Sequence, residues 1–143
     1  MRLHLEKENI KRESNKIANT KILVVEDEII IAKDIQNTLK TLGYDAPAIV
    51  FSGEEAIKKT EEIKPDLVLM NIALKGEIDG IEAAAEIRNL FNIPVVYLTG
   101  YMDEERLKRA KTTEPFSYVI KPFNERELHS TIVRALKKSG SNL

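Results

Sequence analysis

From Lys21 onward the chain alternates short apolar runs with longer stretches whose apolar residues recur every three or four positions. Lys21 to Val25, Asp45 to Phe51, Leu67 to Met70, Pro94 to Thr99 and Ser117 to Ile120 are the apolar runs, and they predict five strands. Ile31, Ile35, Leu39 and Leu42 form one face of a first helix that stops at Gly43. Ser52 and Glu55 form a capping box for a second helix, which Pro65 ends near Lys64. Asp79 and Glu82 do the same for a third, whose alanines allow close packing on a sheet. Asp103 to about Lys111 predicts a short fourth helix with only Leu107 and Ala110 as its apolar stripe, the least firmly held element. Asn124 caps a fifth, with Leu128, Ile132 and Leu136 as its buried line. Pro47 argues for an edge position for the second strand.

Five strand and helix repeats with short connections imply right-handed crossovers and an α/β fold: a doubly wound, five-stranded parallel sheet covered on both faces. Working sites in such sheets lie beyond the carboxyl ends of the strands, where strand order reverses. The residues to weigh are therefore Glu26, Asp27, Ser52, Asn71, Thr99 and Lys121.

Composition narrows the classes. The 143 residues suit one domain with a real core, 43% of them hydrophobic and 31% charged. The absence of cysteine excludes disulfides, thiolate metal sites and cysteine nucleophiles, and makes the cytoplasm the expected compartment. No apolar stretch approaches the roughly 18 to 20 residues needed to span a bilayer, and charges fill the N-terminus, so neither membrane insertion nor secretion is expected. A net charge of −1 makes no case for nucleic-acid binding. Residues 1–20 read as a basic leader or linker, in which Leu3, Ile10 and Ile17 could form a helical stripe.

Glu26 and Asp27 follow the first strand directly. Adjacent carboxylates at a converging sheet edge make sense around a hard cation such as Mg²⁺. They make equal sense as helix-start residues, with Asp27 as a cap, and for Glu28 that reading is preferred. A hydroxyl at Thr99 and an ammonium at Lys121 facing such carboxylates suit the handling of a phosphoryl group. The apolar third strand ends on Asn71, whose neutral amide is neither a nucleophile nor a strong metal ligand.

VVEDE after the first strand, LVLMNIALKGEIDG at the third, YLTG at the fourth and YVIKPF at the fifth together resemble the receiver domain of two-component response regulators. The resemblance covers about residues 21–138, leaving 139–143 as a tail, and 44 residues separate Asp27 from Asn71. It implies the flavodoxin-like strand order 2-1-3-4-5. It further implies that Glu26 and Asp27 hold Mg²⁺ with the backbone carbonyl of Ala73. Asn71 stands where receivers carry the aspartate that takes a phosphoryl group from a histidine kinase. Thr99 matches the switch hydroxyl, Lys121 the lysine that contacts the phosphoryl group, with Lys121–Pro122 cis, and Tyr118 the aromatic that relays the event. The implied output surface is the face of helix four, strand five and helix five, which meets a downstream protein, an output domain or a second copy in a homodimer.

Asn71 departs from the family at the one position that requires an anionic oxygen, so phosphorylation there should be abolished and Mg²⁺ affinity weakened. Either Asn71 is an engineered substitution in an ordinary receiver, which the intact Thr99 and Lys121 favour, or the domain is a natural phosphate-independent interaction module. A third reading, a Mg²⁺-dependent phosphatase, expects two aspartates one residue apart after the first strand, whereas Glu28 and Ile29 follow Asp27. No enzymatic activity is therefore expected. A stand-alone regulator and a domain cut from a larger protein would look alike.

Overall fold

The structure, a computed structural model, describes residues 19–112 and 117–140. The leader through residue 18, with Leu3, Ile10, Ile17 and His4, and the last three residues of the expected tail lie outside the described residues. The element order is β1 (Ile22–Val25), α1 (Ile29–Thr41), β2 (Ile49–Val50), α2 (Gly53–Ile63), β3 (Leu67–Asn71), α3 (Gly80–Phe91), β4 (Val95–Thr99), a 3₁₀ turn (Tyr101–Asp103), α4 (Glu104–Ala110), β5 (Tyr118–Ile120) and α5 (Glu125–Lys138). All strand pairs are parallel and the sheet order is β2-β1-β3-β4-β5, as expected.

Alternation along each strand sorts the core into two layers. Ile22, Val24, Leu67, Leu69, Val96 and Leu98 face Ala32, Ile35 and Leu39 of α1 and Leu128, Ile132 and Leu136 of α5. Leu23, Val25, Val68, Met70, Val95 and Tyr97 face Ala56 of α2, Ile81, Ala83, Ala84 and Ile87 of α3, and Ala110 of α4. Each buried large aliphatic contributes about 1.5–3 kcal/mol, so β3, with all five residues buried, is held tightly enough to fix where Asn71 is delivered. On the first face, the Tyr44 hydroxyl also meets Nδ1 of His129 at 2.9 Å, joining the α1–β2 connection to α5. Burial pushes the Tyr44 phenol up to about 12.

Four local details differ from the sequence expectation. The apolar run from Asp45 to Phe51 predicts a longer second strand, but only Ile49 and Val50 are paired, with an isolated bridge between Lys21 and Asp45. Pro47 has no N–H to donate, and β2 sits at the sheet edge as that proline requires. Residues 101–103, at the start of the fourth helix, form a 3₁₀ turn in which the Asp103 carboxylate accepts from the Gly100 N–H at 2.8 Å. The capping box at α3 is complete, Asp79 accepting from the Glu82 N–H at 2.9 Å with the reciprocal bond present, whereas Ser52 supplies the forward half, accepting from the Glu55 N–H at 3.1 Å. Finally, α1 is capped at Glu28 without a side-chain bond, so Asp27 is not the helix cap.

Candidate functional site

The reversal of strand order falls between β1 and β3, and the ends of those two strands bring Glu26, Asp27 and Asn71 together. The Asn71 amide nitrogen donates to Glu26 Oε2 at 2.9 Å and to Asp27 Oδ1 at 3.2 Å. Its oxygen accepts from the Ala73 N–H at 3.0 Å. From the end of β5, Lys121 Nζ lies 3.2 Å from Glu26 Oε1. Thr99 ends β4, and its hydroxyl is buried with no hydrogen-bond partner among the described residues. The Lys121–Pro122 peptide is cis. Tyr118, at the start of β5, is exposed.

Glu26 is the electrostatic centre, only 1% exposed. Burial raises its pKa and the contact with Asp27 raises it further, against the lowering pull of Lys121 and the Glu28 N–H. The folded state therefore binds the Glu26 proton more tightly than the unfolded chain does. Its contribution to stability is fully present below the ordinary value of 4.5 and is lost as pH rises through the higher folded value. Since Gln does not titrate, the stability of the native chain minus that of Glu26→Gln should fall as pH rises from about 4 to 8. Urea midpoints across that range measure it, and a difference that grows with pH would mean that Lys121 and Asn71 outweigh burial.

The eight-residue connection from β3 to α3 is held from both sides. The exposed Glu54 carboxylate, at the start of α2, accepts from the Ile78 N–H at 3.1 Å, and its own N–H together with that bond holds it below the usual carboxylate range. From α4, Arg109 bonds the second oxygen of Asp79, the α3 cap. Burial works to raise Asp79, but Arg109 and the Glu82 and Ile81 N–H groups outweigh it, and its pKa is lowered. Gly80 completes the packing: a Cβ there would lie 2.3 Å from the Asn71 carbonyl oxygen.

Sequence reasoning names every residue that meets at the strand ends. It gives Ala73 a carbonyl role, whereas the contact observed is through its N–H. It misses Glu54, Gly80 and Arg109. Asp79 and Glu82 signal a helix start, but nothing local couples Asp79 to an arginine 30 positions away. Ser52 is spent on capping α2.

The response regulator receiver domain model matches residues 22–133. The chain belongs to that family. It is a receiver domain of two-component signalling, a class of switch phosphorylated by histidine kinases and linked to output domains. Among its relatives, the transcriptional regulatory protein PdtaR of Mycobacterium tuberculosis is 33% identical over 118 residues, 82% of this chain and 57% of that protein. The alkaline phosphatase synthesis transcriptional regulatory protein PhoP of Bacillus subtilis is 35% identical over 122 residues, 85% of this chain and 50% of that protein. The receiver thus spans about half the length of the curated relatives it matches. The signal receiver domain of a modulated diguanylate cyclase from Desulfovibrio desulfuricans superposes with a TM-score of 0.79 at 35% identity, covering 85% of this chain and 97% of that one. Among the described residues, no helix is long and apolar enough to cross a membrane.

Proposed function

We propose that the pocket is a receiver phosphorylation site held in its unphosphorylated state by Asn71. The observation that carries this reading is the Asn71 amide, whose nitrogen lies against both Glu26 and Asp27 where a cation would otherwise relieve their repulsion. Among the described residues no group of three His, Cys, Asp or Glu could hold a metal ion, and at this pocket the side chain beside Glu26 and Asp27 is an amide. The remaining donors still fit Mg²⁺: two carboxylates, an amide oxygen and the Ala73 carbonyl are hard oxygen ligands. Turning the amide oxygen toward the acids would break its bond from the Ala73 N–H and set two donors face to face, so affinity is weak. Bound Mg²⁺ would supply positive charge to the carboxylates and to a phosphoryl group.

Around that position Lys121 holds Glu26 and can transfer its ammonium to a phosphoryl oxygen. The Thr99 hydroxyl, buried and without a partner among the described residues, has an unmet bond that a phosphoryl oxygen would satisfy. Movement of Thr99 would pass to Tyr118 on the neighbouring strand, and so to the face of α4, β5 and α5 where an output domain, a downstream protein or a second copy docks. The domain itself is a switch and not an enzyme. The deciding experiment is treatment of Asn71→Asp with Mg²⁺ and a small phosphodonor. The variant should gain one phosphoryl group by intact mass, and the native chain none.

The second reading is a natural receiver that signals by binding alone. What favours it is that Asn71 fits its surroundings with three hydrogen bonds. The identity of codon 71 in the gene separates this from an engineered exchange.

A further inference from the structure

Of the described helices, α4 has the slightest apolar anchor: Ala110 is buried and Leu107 half-buried, while the rest of its seven residues are exposed. Its charged side chains are unequal in reach. Arg106 turns back 3.2 Å to Asp103 in the preceding turn, and Lys108 stays within the helix near Glu105. Arg109 leaves the helix and bonds Asp79 Oδ2. Asp79 is not an ordinary surface acid, since its other oxygen caps α3 through the Glu82 N–H. The next residue, Gly80, packs so closely on the end of β3 that a Cβ would collide with the Asn71 carbonyl. A line of direct contacts therefore runs from α4 through Arg109 and Asp79 to the backbone of the residue at the phosphoacceptor position.

We propose that Arg109 is a positioning residue, bracing α4 against the α3 cap so that the attachment of α4 and the backbone at Asn71 are mechanically coupled. Loss of the brace frees α4 while the sheet stays intact. Conversely, a displacement of the β3 end, such as cation capture would produce, loads the same bond. The coupling to cation capture rests on the receiver reading given above, but the brace itself does not. Two substitutions separate the brace from simple loss of folding. Arg109→Met keeps the aliphatic stem and removes the guanidinium. Asp79→Asn keeps a good capping oxygen and removes the charge.

Amide hydrogen exchange of the full chain, read by mass spectrometry, should rise about tenfold or more in residues 104–111 for both variants, with β1 and β3 unchanged and α3 still protected in Asp79→Asn. Arg109→Lys should recover part of the protection. Unchanged exchange in α4, or an equal rise in every element, would overturn the brace. The coupling is read in the Asn71→Asp background, where adding Arg109→Met should shift the apparent Mg²⁺ Kd by about threefold or more. An unshifted Kd beside a freed α4 would leave a surface ion pair and refute the coupling. If Asn71→Asp alone shows no Mg²⁺ response, the receiver chemistry and with it the coupling fail, whereas the brace still stands or falls on the exchange measured in α4.

Discussion

Asn71→Asp is expected to be labelled once per molecule by a phosphodonor that leaves the Asn71 chain unlabelled, and at the same time to depend on Mg²⁺ for its stability. Both effects come from one atom. The Asn71 nitrogen sits 2.9 Å from Glu26 Oε2 and 3.2 Å from Asp27 Oδ1 as a donor to each. An oxygen anion in its place turns two hydrogen bonds into two like-charge contacts beside a carboxylate that burial already disfavours ionising. After relaxation and proton uptake such crowding is worth about 1 to 3 kcal/mol. The variant should melt several degrees below the native chain without Mg²⁺. A tenfold excess of Mg²⁺ over its Kd should return about 1.4 kcal/mol. The native chain should be nearly indifferent to the ion. Calorimetry with and without Mg²⁺ measures the second effect and intact mass the first. A variant that takes no phosphoryl group and melts alike in both buffers would remove the basis for reading the pocket as a phosphorylation site.

Gly80→Ala is expected to cost about 3 kcal/mol or more, although helix propensity alone favours Ala over Gly by about 1 kcal/mol. The sign is decided by space. The new Cβ would lie 2.3 Å from the Asn71 carbonyl oxygen and 3.2 Å from both the Asn71 carbonyl carbon and Ile72 Cα, all of them backbone. No side chain can swing aside, so either α3 retreats from the sheet or the end of β3 shifts. Retreat opens the layer around Ile81, Ala84 and Ile87, and a shift moves Asn71 from its partners. Urea denaturation measures the loss, and a midpoint equal to or above that of the native chain would contradict the close packing.

These two positions also mark what can be read from the sequence. Asn71 is visible because four apolar residues precede it and nothing else explains a small polar stop there. The acidic pair, Thr99 and Lys121 are visible for the same reason, each closing an apolar run. Gly80 reads only as the start of a helix, because a steric conflict with the end of the preceding strand is a property of packing and leaves no periodic trace. Arg109 is hidden likewise, being one of several charges on a short polar helix, and only the fold selects it over Arg106 and Lys108. The second strand is overestimated for a different reason. β-branched and apolar residues around Pro47 carry strand propensity, but Pro47 has no N–H to offer the ladder: Asp45 is joined to Lys21 by an isolated bridge, and continuous pairing resumes only at Ile49 and Val50.

The Asn71 amide, satisfied on both its oxygen and its nitrogen, also bears on what such a domain can report. A receiver with an aspartate follows supply: its state tracks the flux of phosphodonor and the lifetime of an acyl phosphate. If the amide blocks phosphoryl transfer as proposed, neither quantity can enter, and the domain carries no memory of past stimulation. Whatever it communicates is then set by abundance, through how many copies compete for a shared partner, and the timescale of its message becomes that of synthesis and degradation.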